Sequence, residues 1–136
     1  MLTSKHLEVD GVYTRSALRE KFGIKDATIN NGIFRPKGHD SIWLFVTEEK
    51  TPDRTQYHDV LNGDDLYFDG QTAGLRDKVL IEHEVHNCEV IVFHRRAKYE
   101  HPGAGFRYVG RFKYVEHRGT RPAHFHFRRL DSSLLR

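Results

Sequence analysis

The chain has 136 residues, 38% of them apolar and 30% charged, a length and composition that suit one soluble domain with one hydrophobic core. Cys88 is its only cysteine, which excludes an internal disulfide and fits a reducing compartment. The net charge of +3 hides an asymmetry: residues 1–90 carry 11 Lys/Arg against 16 Asp/Glu, whereas residues 91–136 carry 11 against three, a local excess that suggests a polyanionic partner.

In chain order, residues 1–8 lack the apolar run of a secretion signal, and no window approaches a membrane span, so the expectation is a cytoplasmic protein with no membrane partner. Residues 1–12 read as an N-terminal extension. Thr14 predicts a helix N-cap, residues 16–22 the helix and Gly23 its C′ residue, with Leu18 and Phe22 four apart on one face. A second short turn is expected over residues 25–30, broken by Asn31-Gly32. Residues 42–46, Ile-Trp-Leu-Phe-Val, are apolar on both faces and too short for a helix, which predicts a central strand. Further strands are expected at residues 78–83, 88–95, 111–117 and 123–129. The last two alternate, with Phe112 and Tyr114 on one face and Phe125 and Phe127 opposed to His124 and His126. The expected fold is α+β: mostly β with short helices, an antiparallel sheet closed as a small barrel with a helix at its N-terminal end. Residues 1–136 form one domain, with 130–136 as a tail.

Chemistry concentrates in two stretches, Thr55-Gln-Tyr-His-Asp59 and Asp65-Leu-Tyr-Phe-Asp-Gly-Gln71. Tyr57 and Phe68 are each followed closely by a carboxylate, Asp59 and Asp69. Two rings and an acceptor for an exocyclic amine are what a nucleobase lifted from its stack requires. The same residues also read as strand-end core aromatics beside turn-forming aspartates. Asp69 and Gln71 stand where a turn could aim them at the other base edge. For the DNA backbone or groove the candidates are Arg35, Lys37, Lys50, Thr51, Arg54, Thr55, Arg76, Arg95, Arg96, Lys98 and Arg107. Arg95, Arg96 and Lys98, with Tyr99 interleaved, form the densest cluster. His124 and His126 share a strand face and, with His117, offer a metal-dependent hydrolase as an alternative. The Cys pair and third ligand of a zinc site are missing, so no metal, cofactor or catalytic residue is expected. No Walker-type loop or nucleophile elbow is present.

Several of these segments resemble a known family. Gly32-Ile-Phe-Arg-Pro-Lys-Gly38, Ser41-Ile-Trp-Leu-Phe-Val-Thr-Glu-Glu-Lys50, Thr51-Pro-Asp-Arg-Thr-Gln-Tyr57, Gly70-Gln71 and Phe106-Arg-Tyr-Val-Gly-Arg-Phe112 are similar to the recognition domain at the C-terminal end of methylation-dependent type IV restriction helicases. Similar domains occur beside HNH nucleases. The likeness runs from about Tyr13 to Arg129. It implies an SRA-like (SET- and RING-associated) domain of the PUA-type barrels that flips 5-methylcytosine from double-stranded DNA, a reader and not an enzyme, with a nuclease or helicase as partner. It also implies roles: Tyr57 and Phe68 stack, Asp59 reads the amine edge, and Asp69 lies beside the ring. Three departures stand out. The acid follows Tyr57 one residue sooner, Phe68 replaces a Tyr or Trp, and residues 71–77 are too few for the finger that SRA domains push into the vacated duplex. The last implies little dependence on sequence context. A PUA-type RNA-binding module is the alternative within the same barrel class.

Overall fold

The all-apolar run at residues 42–46 has one physical solution, a strand covered on both faces, and β3 (Ser41–Thr47) is that strand. Ile42, Leu44 and Val46 enter one core with Leu66, Val90, Val92, Phe112, Phe125 and Phe127. Trp43 and Phe45 enter a second with Leu18, Phe34, Phe93, Phe106 and Tyr108. The computed structural model describes residues 1–49 and 59–130. Ahead of β3 come β1 (Val12–Tyr13), α1 (Arg15–Phe22) and β2 (Ile33–Phe34). After it come β4 (Val60–Asn62), β5 (Asp65–Asp69), α2 (Asp77–Ile81), β6 (Glu89–Arg95), β7 (Phe106–Arg118) and β8 (His124–Arg129). Short 3-10 turns occupy Thr3–His6, Ala27–Asn30 and Pro102–Ala104.

The strands form one sheet in the order β2-β3-β6-β7-β8-β5-β4, with β1 paired to the start of β7. The α+β class and the predominance of strand agree with expectation. An all-antiparallel closed barrel does not describe what is seen. β3 and β6 pair in parallel, because the chain between them leaves the ladder through β4, β5 and α2 before returning, the crossover that parallel neighbours require. Among the described residues β2 and β4 end the order without pairing to each other.

Local signals account for α1. Thr14 Oγ1 accepts the Ala17 N–H at 2.9 Å, and Gly23 closes the helix at φ 63°. The strand expected at residues 78–83 is instead α2. Leu80 N–H donates to Arg76 O at 3.1 Å and Glu82 N–H to Lys78 O at 2.9 Å, leaving Leu80 buried and Lys78 exposed. The three-residue apolar run Val79-Leu80-Ile81 does not discriminate one turn of helix from a strand. Residues 1–12 are not an appendage: Thr3 is fully buried, its N–H donates to Ser41 Oγ at 3.0 Å, and its hydroxyl accepts from Trp43 Nε1 at 3.1 Å.

A bulge decides which face the end of β7 presents. Tyr114 pairs with Phe127, but the next partner of β8, His126, faces Glu116, so Val115 is the extra residue. Beyond it the alternation is reversed. His117 falls on the inner side with Tyr114, their Nδ1 and hydroxyl 2.7 Å apart, while Glu116 and Arg118 turn outward beside His126 and His124.

Candidate nucleic-acid interface

The end of β5 gathers the residues that the sequence singled out. Leu66 and Phe68 point into the core, and Tyr67, 45% exposed, points out and stacks on His126 with ring centroids 4.8 Å apart. Asp69 closes the strand. Its Oδ1 accepts the Nδ1–H of His124 at 2.7 Å, and its backbone N–H donates to Asp59 Oδ1 at 2.9 Å. Both aspartates are buried, Asp59 at 4% and Asp69 at 8% exposure. Gly70 N–H then donates to Ala123 O at 2.9 Å, carrying the pairing with β8 one step past the ladder.

Only hydrogen fits on Gly70. A Cβ there would stand 2.8 Å from Asp77 Oδ1 and 3.0 Å from the Phe125 ring. Asp77 is thus folded back against the start of its own loop. Its Oδ1 and the Oε1 of Gln71 are both buried without a hydrogen-bond partner among the described residues. Asp59, Asp69, Gln71 and Asp77 make this corner rich in acceptors, and the two orphans among them, on Gln71 and Asp77, are costly unless an N–H or O–H donor reaches them.

Burial pushes the Asp77 carboxyl above the ordinary aspartate range, and His117 pulls it partly back. The folded chain therefore holds the Asp77 proton more tightly than the unfolded chain. The Asp77 contribution to stability is largest in acid and is lost as pH rises above about 4. Asp77→Asn should remove that loss, so the melting temperature of the variant relative to wild type should climb as pH rises from 4 to 7. A constant difference across that range in parallel thermal melts would contradict the assignment.

The other sequence candidates fall elsewhere. Phe68 requires a correction: at 4% exposure its ring belongs to the main core and offers no open face for stacking. The alternation of β5 sends residue 68 inward with residue 66. Tyr57, Lys50, Thr51, Arg54 and Thr55 lie outside the described residues. Arg95 is likewise not a backbone contact: it is buried, its Nε donates to Thr47 Oγ1 at 2.8 Å, its Nη1 to Ala104 O at 2.8 Å, and its guanidinium covers the Phe106 ring at 4.0 Å. Arg35, Lys37, Arg76, Arg96, Lys98 and Arg107 are exposed. Arg96 faces Glu100 at 3.8 Å and Arg107 faces Asp10 at 4.0 Å.

The Arg95–Lys98 cluster also lies at the other end of the sheet from Asp69. Arg107 of β7 pairs with His94, whereas Arg118 of β7 pairs with His124, the partner of Asp69. Eleven residues of one strand separate the two levels, a contour of about 36 Å at 3.3 Å per residue. The cations that accompany Asp69 are Arg118 and Arg121, which sequence reasoning missed. The Arg121 side chain packs over Gly74, within 3.5 Å of where its Cβ would stand. No local signal could have found them, because their relevance comes from a pairing between residues 55 apart.

The three histidines do not converge. His117 faces inward with Tyr114, His124 engages Asp69, and His126 engages Asp65 at 2.8 Å. No three His, Cys, Asp or Glu side chains gather as a metal site among the described residues. A cavity of about 350 Å³ is lined by Arg35, Lys78, Val79, Glu82, His83, His86 and Cys88. It has no aromatic wall, and both ring nitrogens of His83 are engaged, with Cys88 O at 2.8 Å and Tyr114 N–H at 3.1 Å. No helix among the described residues is long and apolar enough to cross a membrane. No protein-family model matches the chain, and no curated protein matches it either.

Proposed function

We propose that the chain is a reader of modified cytosine in double-stranded DNA, an SRA-type domain of the PUA-like barrels that binds without catalysing a reaction. The observation that carries this reading is the buried Gln71 Oε1, an acceptor without a donor among the described residues, set one residue beyond Gly70 and two beyond the buried Asp69, whose N–H Asp59 accepts. Acceptors in a partly dehydrated corner select N–H donors. The amine edge of cytosine presents one, and thymine presents a carbonyl oxygen and no amine there. In this reading Tyr57 supplies the stacking ring, worth about 1–3 kcal/mol per base. Phe68 acts indirectly, as the core residue that fixes the end of β5 and with it Asp69. A nuclease or helicase acting on the bound site is the partner this reading requires, since reading a base leaves it unchanged.

Burying a 5-methyl group contributes about 0.8 kcal/mol by transfer alone, a preference of about fourfold. Titration of the chain with matched methylated and unmethylated duplexes should therefore show at least about that preference. Tyr57→Ala should reduce it and weaken binding of the methylated duplex. Equal affinity for both duplexes would remove the reading.

A further inference from the structure

The β7–β8 ribbon carries an excess of positive charge, part of which the described residues do not answer. Between residues 111 and 129 there are six Arg/Lys and one acid, Glu116. Lys113 lies directly across from Arg128, and Arg118 directly across from His124. Lys113 and Arg128, like charges facing one another across the ladder, destabilise it. Asp65 answers Arg128, its Oδ1 3.1 Å from Nε. Lys113, Arg118 and Arg121 have no carboxylate partner among the described residues, and all three are exposed, as is every residue from 115 to 121. Among the described residues, the outer edge of β7 beyond Phe112 has no strand beside it, since the β6 pairing ends there and β1 pairs only with its first two residues.

The ribbon is also tied to the acceptor corner at three points. His124 binds Asp69, Ala123 O accepts the Gly70 N–H, and Arg121 lies against Gly74. Arg118, opposite His124, and Arg121, against Gly74, stand beside that corner. We propose that the β7–β8 ribbon grips the phosphates of the duplex that flank the everted base, with Lys113, Arg118 and Arg121 as its contacts. This rests on the base-reading proposal for its location. It replaces the expectation that phosphate contact comes from the Arg95–Lys98 cluster. Cations held along one ribbon and its turn suit a row of phosphates, and such contacts act on all duplexes equally, methylated or not.

The test uses the triple variant Lys113→Gln/Arg118→Gln/Arg121→Gln, with Arg96→Gln/Lys98→Gln as the comparison, and measures duplex affinity as a function of salt. Each lost phosphate contact lowers the slope of log K against log salt by about 0.9, so the triple variant should lose about 2.7 and bind about tenfold or more weakly, to methylated and unmethylated duplexes alike. The Arg96/Lys98 variant should keep the wild-type slope. All three side chains are exposed and Lys113 faces Arg128 across the ladder, so thermal melts should be at or slightly above wild type and show that the loss is not unfolding. A salt slope shared by wild type and the triple variant overturns the grip and leaves the base reading standing. A slope that drops in the triple variant, with no preference for methylated DNA in wild type, overturns the base reading and leaves the grip. Absence of duplex binding by the wild-type chain overturns both.

Discussion

Phe68→Ala should unfold a large share of the population at physiological temperature, with a loss of about 3–5 kcal/mol in chemical denaturation. The ring is 4% exposed and stands in the main core with Leu66, Phe125 and Phe127. Removing it deletes the apolar contacts of a whole phenyl group and leaves a cavity that a packed sheet fills poorly. A domain of this size has about 5–15 kcal/mol of stability in total. Loss of DNA binding by this variant would therefore report unfolding, whatever the role of the site. Phe68→Leu is the informative substitution: it keeps most of the core volume and removes the aromatic face. Unchanged methylated-duplex binding by a folded Phe68→Leu chain is expected, because the ring is not a stacking surface. A stable Phe68→Ala chain would show that the ring is not packed as described.

Gly70→Ala should damage the site more than its single methyl suggests. The new Cβ would fall 2.8 Å from Asp77 Oδ1 and 3.0 Å from the Phe125 ring, with Ala123 O at 3.6 Å. The carboxylate is the end of a side chain at the start of α2 and could swing away. Phe125 sits inside the core on a strand paired on both sides and has nowhere to go. Overpacking of this kind costs about 1–3 kcal/mol. The relief available is to shift residues 69–71, which would move Asp69 off His124 and Gln71 out of its buried position. The expected result is a folded chain, destabilised within that range, with methylated-duplex affinity reduced more than its stability. Wild-type affinity in a Gly70→Ala chain would mean that residues 69–71 do not form the base site.

Legibility from sequence followed the range of the interactions. Thr14, Leu18, Phe22 and Gly23 state a helix within ten residues, and α1 follows them. The run from Ile42 to Val46 states burial on both faces, and β3 has a core on each. Short-range pattern failed at α2, where Val79, Leu80 and Ile81 favour strand by residue type and the chain nonetheless closes a helical turn. It failed also at β5, where Phe68 beside Asp69 reads as a stacking ring and a carboxylate, and pairing with β8 turns the ring inward. The bulge at Val115 reversed the face of His117, so three histidines that look like a ligand set in sequence end on different sides. The acceptors Asp59 and Asp69 were legible as residue types. Their neighbours Asp77, His124 and Arg121 were not, because α2 brings the first and the β7–β8 turn the other two from outside the segment that carries the acceptors.

The central claim is selective recognition of a modified cytosine, and one titration tests it most directly. Duplexes identical except for a single cytosine, 5-methylcytosine or 5-hydroxymethylcytosine are compared at fixed salt with the same preparation of the chain. The predicted result is a preference of at least about fourfold for the 5-methylcytosine duplex over the cytosine duplex, narrowed by Tyr57→Ala. Indistinguishable affinities for all three duplexes would contradict it.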